Sequence, residues 1–276
     1  MSNIVNLVKR ILLKSDAKHI IMLSTGVLSG QIIQIVLQPV ATRLYSPEAF
    51  GYLSLVVSLG TMFSAVSTLQ YHISIVHSPD EDEYPLCKLV LLCVITTALL
   101  LVGVIALLFV FGDDQYRSVG LWIFVAALLH LMTGITYLAD SYNNRHSEYS
   151  LMTKVTVQRA AASGVVKIIF GVFKLEFVGL LISQCVGTIA GIRKQSASMI
   201  KHYKEILDVN KRDVLAVAKK YSDQPLFALP GVFVLQFSYS ALPLIINTAF
   251  STREGGFFSL TISILGLPLN LISNNV

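Results

Sequence analysis

Eight continuous apolar blocks, at about 19–41, 50–76, 88–111, 119–139, 153–173, 175–192, 226–250 and 256–272, constrain this chain more than any other feature. A helix crosses the hydrocarbon of a bilayer with roughly 20 apolar residues, and these blocks match that length. They lack the period-2 alternation of a membrane β-barrel, so helices, which satisfy their own backbone groups, are the expected element. Composition agrees: only 13% of residues are charged and mean hydropathy is +0.68, where a soluble domain carries about 25% charged residues. The expected fold is all-α, a polytopic membrane helical bundle.

Lys9, Arg10, Lys14 and Lys18 precede the first block, as in a signal peptide. The block is too long for a signal peptide's apolar core and seven more follow it, so it is read as an uncleaved first span. The distribution of Lys and Arg then orients the chain. With the N-terminus inside, Arg43, Arg117, Lys174 and Arg253 are the outer basic residues, Arg159 and Lys167 lie within the fifth span, and the rest of the 21 fall on inner segments. Outer loops are expected at Arg43–Phe50, Gly112–Ser118 and Ser251–Gly256. The net charge of +5 is a topological signal, and no nucleic-acid partner is expected.

Cys87, Cys93 and Cys185 lie in or beside spans without Cys-x-x-Cys spacing, which predicts packing thiols and no metal site or disulfide. Asp80-Glu81-Asp82-Glu83 is expected to be a solvated charge run. The long inner connection, 193–225, is basic. Its stretch from Met199 to Lys220 alternates charged and apolar residues, which leaves two readings open: an amphipathic helix on anionic headgroups, or a solvated linker.

Two outer loops are alike. Ser46-Pro-Glu-Ala-Phe-Gly-Tyr-Leu-Ser-Leu55 follows span 1, and Ser251-Thr-Arg-Glu-Gly-Gly-Phe-Phe-Ser-Leu260 follows span 7. Ser, Gly, an aromatic residue and Ser-Leu stay in register, and Pro39 and Pro243 sit in the preceding spans. This predicts a complete six-helix first lobe (1–192), a basic cytoplasmic linker (193–225) and the first two helices of a second lobe (226–276). Lobes of this kind surround a central site in transporters. The chain is expected to be a truncated member of such a class, and alone not to support export.

Thr42-Arg-Leu-Tyr-Ser-Pro-Glu-Ala-Phe-Gly51, preceded by the glutamine-rich stretch from Gly30, is the most specific motif. Lys219-Lys-Tyr-Ser-Asp-Gln-Pro-Leu-Phe-Ala-Leu-Pro230 and Leu265-Gly-Leu-Pro-Leu-Asn-Leu-Ile272 join it. Together these resemble the bacterial polysaccharide-biosynthesis membrane proteins, the O-antigen and capsule flippases of the multidrug/oligosaccharidyl-lipid/polysaccharide exporter superfamily. The resemblance implies a multi-pass protein of the bacterial inner (plasma) membrane that is not an enzyme and needs no cofactor. It would move an undecaprenyl-pyrophosphate-linked oligosaccharide outward for lipopolysaccharide or capsule synthesis, beside membrane lipids and polysaccharide polymerase machinery. Where many relatives carry an acidic residue after the tyrosine that follows span 2, this chain has His72 after Tyr71.

Charges within spans are expensive and face a wet cavity, a partner or the interface. Arg159, Ser163 and Lys167 fall at successive i+4 steps of span 5, placing the two cations about 12 Å apart on one face. A cationic ladder suits a pyrophosphate, which Arg grips bidentately; snorkelling is the competing reading for each cation. Gln31, Gln34 and Gln38 share a face of span 1 and fit either sugar hydroxyls or a neighbouring helix. His130 and Gln184 are expected to bond between helices. Gly26–Gly30 and Gly187–Gly191 permit close helix packing, and Pro39, Pro230 and Pro243 kink spans 1 and 7. The other readings are an ion-coupled multidrug exporter, which would favour buried acidic residues that the first six spans do not offer at mid-depth, and an inactive remnant. A membrane glycosyltransferase would need a large extramembrane loop with paired carboxylates, which is not found.

Overall fold

The computed structural model describes the backbone of residues 15–111 and 114–273, and side chains over 25–107 and 124–266. Lys9, Arg10 and Lys14, and the side chains of Lys18, Arg117 and the last motif from Leu267 on, lie outside those limits. Each apolar block is largely helical, and the second is divided. The long ones are α1 (Ser15–Leu44), α2 (Pro47–Met62), α4 (Asp80–Phe111), α5 (Asp114–Arg145), α6 (Tyr149–Val172), α7 (Glu176–Ile189), α12 (Leu229–Ala249) and α13 (Thr252–Ser273), with the short α3 (His72–His77) between α2 and α4. The linker forms α8 (Ile192–Gln195), α9 (Ala197–Lys201), α10 (Tyr203–Asp208) and α11 (Lys211–Lys220). Among the described residues, six helical stretches are long and apolar enough to cross a membrane: Pro47–Val66, Asp80–Leu107, Phe124–Arg145, Tyr149–Val172, Glu176–Gln195 and Gln224–Ala249. Parts of α1 and α13 lie outside the described side chains. The protein is a multi-pass, all-α membrane bundle.

Several boundaries differ from the sequence reading: Arg43–Leu44, Pro47–Phe50 and Thr252–Gly256, expected in outer loops, are helical. Asp114–Ser118, expected as loop, already belongs to α5. The second block, continuous in hydropathy, is broken after Met62 by a 3₁₀ turn (Ser64–Val66) and by Leu69 and Gln70 at positive φ (47° and 63°). Irregular backbone at membrane depth is tolerated where protein covers it. Here Ser67, Thr68 and Gln70 are buried, and Gln70 Nε2 donates to the Ala65 carbonyl at 2.9 Å.

Helix α6 lies between α1 and α7 because small residues line both contacts. Gly26 and Gly30 face Thr153 and Thr156 across the α1 contact, and Gly187 and Gly191 face Ser163 and Val155 across the α7 contact. A β-carbon at Gly26 would sit 2.6 Å from the Thr153 methyl, so the approach depends on the absent side chain. The packing role expected for these glycines is the one observed.

The repeated loops meet. Ser46 caps α2 by accepting from Ala49 N at 3.3 Å, and Ser251 accepts from Glu254 N at 3.2 Å, the equivalent bond. A β-carbon on Gly51 would run into the Thr252 carbonyl oxygen, and one on Gly256 into the Pro47 carbonyl oxygen. Gly51 and Gly256 are equivalent in the repeat, as are Pro47 and Thr252, so the α2–α13 crossing is a local pseudo-two-fold. Arg253 Nε stands 3.5 Å from Glu48 Oε1, a pair of equivalent positions too.

The linker is not a plain solvated connection. Val214 and Val217 of α11 and Ile206 of α10 are buried, the last two in one apolar cluster with Ile75, Leu86, Val90 and Tyr142. Lys88 Nζ donates to the Leu207 and Val209 carbonyls at 2.6 and 2.7 Å, and Lys220 and Tyr221 donate to Asp82 at 2.5 and 2.7 Å. That bond holds the Lys220 ammonium above its ordinary pKa. The linker is thus docked on the ends of α4 and α5. The acidic run is also corrected: Asp82 and Glu83 are buried and paired, because the docked linker and the end of α5 bring cations to them.

Candidate functional site

A cavity of about 330 Å³ lies where α1, α5, α6 and α7 come together, lined by Gln34, Thr133, Thr136, Arg159, Ala160, Ser163, Gln184, Gly187 and Thr188. Most of these are polar, in a bundle whose helices are overwhelmingly apolar. The geometry follows from helical spacing. Arg159 and Ser163 are one turn apart on α6, Thr133 and Thr136 nearly so on α5, and Gln184 and Thr188 one turn apart on α7. Gly187 opens the floor of the cavity against Ser163. Gln34 reaches across from α1, its Nε2 donating to the Ala160 carbonyl at 3.4 Å.

Arg159 is the cation of the cavity, and its guanidinium is held by protein on two of its nitrogens. Nε donates to the Ala190 carbonyl at 3.1 Å, and Nη2 donates to Thr136 Oγ1 at 3.1 Å and to Gln195 Oε1 at 2.6 Å. Gln195 in turn donates through Nε2 to Asp140 Oδ1. Arginine carries five N–H donors, and among the described residues the two on Nη1 have no protein partner. The side-on fork of Nε and Nη2 is therefore spent on protein. What remains for a ligand is the Nη1 edge, a narrower grip than the bidentate one expected. Its charge is met by protein groups at the end of α7 and in α8.

The family described as polysaccharide biosynthesis protein matches residues 17–270. The chain belongs to that family. Neither a curated protein nor a solved structure matches it.

In this polysaccharide biosynthesis protein the residues singled out from sequence separate into two groups. Gln34, Arg159 and Ser163 share the cavity. Lys167, Gln31 and Gln38 are not among its lining residues. Lys167 is half-buried, and among the described residues its ammonium has no partner; only its carbonyl is used, accepting from Tyr45 Oη at 2.6 Å. Gln31 has a buried Oε1 that no described group satisfies, and Gln38 is buried in α1. His130 does bond between helices, its Nε2 3.2 Å from Thr97 Oγ1 on α4. Gln184, expected to do the same, lines the cavity.

Sequence reasoning missed Asp140, Gln195 and the threonines. Asp140 lies one residue past the boundary drawn for span 4, yet α5 continues to Arg145 and carries it into contact with the α6 arginine through Gln195. Asp140 stands near the end of α5, outside the mid-depth stretch for which no acidic residue was expected. The signal was present: Thr133, Thr136 and Asp140 follow one another at i+3 and i+4 along an apolar helix, a polar stripe on one face. Two other cavities flank the site. One, about 620 Å³, opens between α3 and the end of α5 and includes His72, His77, Asn144 and Arg145; His72 stacks on Tyr137 at 5.0 Å and bonds Thr68 at 2.7 Å. The other, about 640 Å³, is almost wholly apolar, between α2, α4, α5 and α12.

Proposed function

We propose that this protein is a flippase of surface-polysaccharide synthesis, moving an oligosaccharide linked to undecaprenyl pyrophosphate from the inner to the outer leaflet of the bacterial inner membrane. The observation that carries the reading is Arg159, anchored on two nitrogens, with Nη1 unpartnered among the described residues, in the lining of a polar cavity of an apolar bundle. A pyrophosphate leaving water loses its hydration, and fixed donors and charge in a low-dielectric site replace it. Arg159 is the first station for that headgroup. Lys167, two turns along the same helix, is the second, with a half-buried ammonium that no described group engages. Ser163, Gln34, Gln184 and Thr188 offer hydroxyl and amide partners to the first sugars, with Gln31 and Gln38 farther along α1. The N-terminus and the basic linker are cytoplasmic in this reading, so the Asp140 end of the cavity faces the leaflet where the substrate is made. The protein acts as a transporter and not as an enzyme, with the polysaccharide polymerase downstream.

Asp140 favours the second reading, an ion-coupled multidrug exporter, because such a carrier uses an acidic residue in its spans. Its carboxylate is already bonded to Gln195, and the charge presented to the cavity is the arginine's, which suits an anionic cargo better than a cationic drug. The test is binding of farnesyl pyrophosphate to the purified protein by calorimetry. Arg159→Gln is expected to abolish binding, and Arg159→Lys to restore it in part, since a point charge replaces a planar fork. Unchanged binding by Arg159→Gln overturns the reading, and selective binding of lipophilic cations supports the exporter.

A further inference from the structure

Asp140 and Gln195 belong to no part of the headgroup grip, yet they are placed with care. Gln195 is 1% exposed at the end of α8, and Asn143 Nδ2 on α5 donates to its carbonyl at 2.8 Å. Its backbone is thereby fixed to the helix that carries Asp140. The orientation of its amide is fixed by chemistry. A carboxylate can only accept and a guanidinium can only donate, so the NH₂ must face Asp140 and the carbonyl must face Arg159. Carboxylate, amide and guanidinium form a chain of hydrogen bonds that is charge-assisted at both ends.

We propose that Asp140 and Gln195 are positioning residues for anion recognition at Arg159: the carboxylate, relayed by the amide, holds the guanidinium with its Nη1 edge toward the cavity and lends it a counter-charge that an arriving phosphate must share. The inference rests on the pyrophosphate reading of the cavity. Direct contact between Asp140 and Arg159 would spend the cation on protein, as a buried ion pair does. One residue of insulation leaves the arginine attractive to an anion while moderating how tightly it holds one. A carrier needs that moderation, because a ligand bound too tightly is not released on the far side.

The test moves the charge and keeps the bonds. Farnesyl pyrophosphate and inorganic pyrophosphate are titrated against the purified full chain by calorimetry. Asp140→Asn removes the counter-charge and should tighten both ligands roughly tenfold, within the usual 5–150-fold range of coupling between sites. The double variant Asp140→Asn/Gln195→Glu has the same net charge as the parent and keeps both bonds of the chain, the one between 140 and 195 now donated from 140, but sets the carboxylate directly on Arg159. It should weaken both ligands roughly tenfold. A merely structural pair weakens binding in both variants or changes it in neither, and either result overturns the proposal. If Asp140→Asn does not fold, Asp140→Ser, which also removes the charge and keeps an acceptor, takes its place, and parental or weaker affinity overturns the proposal. Arg159→Gln separates the two readings: if it binds normally the pyrophosphate site itself is wrong, whereas loss of binding there with unaltered affinity in Asp140→Asn removes only the positioning role.

Discussion

Two arginines, Arg145 and Arg159, show how the same side chain is used for two ends. Arg145, at the end of α5, donates Nε to Glu83 at 3.0 Å, Nη2 to Asp80 at 2.6 Å, and Nη1 to the Ile75 and Ser78 carbonyls at 2.9 and 2.6 Å. Each of its three nitrogens is engaged, with two carboxylates in direct contact, and the side chain is 10% exposed. Among the described residues, Arg159 has no carboxylate in direct contact, is linked to Asp140 through an amide, and has no partner on Nη1. A saturated arginine locks structure. In the proposed reading an unsaturated one, in a place where unsatisfied polar groups are costly, is kept for a ligand.

Arg145→Met should give the largest effect on stability. It strands Glu83 half-paired, with only His146 at 2.7 Å, and removes the tie between α5 and the α3–α4 turn. Breaking a buried pair costs about 3–5 kcal/mol, to be read as a lowered midpoint of unfolding in detergent. An unchanged midpoint would erase the contrast between the two arginines. Arg159→Gln should cost less, about 2 kcal/mol, since hydrogen bonds to a charged group are lost without leaving a directly paired carboxylate. It should nevertheless remove pyrophosphate binding, which the surviving folded fraction of Arg145→Met should keep. The smallest effect is expected for Glu48→Gln. Its pair with Arg253 is exposed, and such pairs contribute under about 1 kcal/mol; a shift of several kcal/mol would mean that the α2–α13 contact is held by charge and not by close backbone approach.

Membrane spans were legible because length and hydropathy act locally, and all eight blocks became largely helical. The break after Met62 was not, because Phe63, Ala65, Val66 and Leu69 are as apolar as a helix would be; burial of Ser67 and Thr68 against the bundle decides it. Linker docking was hidden for a similar reason. Val214 and Val217 mark an apolar face, but only the fold says that α4 covers it and not lipid. Part of the site could be read: Arg159 and Ser163 stand out as polar groups in an apolar span, and one helical turn puts them together. Lys167 satisfied the same spacing, yet sharing a helical face does not ensure that the neighbouring helices leave one common space along it. Asp140 was passed over because a span was ended at the first charge, where the helix in fact continued and supplied a partner for that charge.

The crossing of α2 and α13 has a consequence for how copies of this chain meet one another. Its shape is self-complementary: Gly51 receives Thr252 as Gly256 receives Pro47, so by form alone α2 could cross a second α2, or α13 a second α13. Its charge is not. Two α2 helices at this crossing would oppose Glu48 to Glu48, two α13 helices Arg253 to Arg253, and only the mixed pair sets opposite signs 3.5 Å apart. Specificity is a difference between the right and the wrong pairing, to which attraction in one and repulsion in the other both add, so a contact too exposed to hold the helices together can still act as a sorting rule, steering each repeat to its counterpart within the chain and away from its twin in a neighbouring molecule.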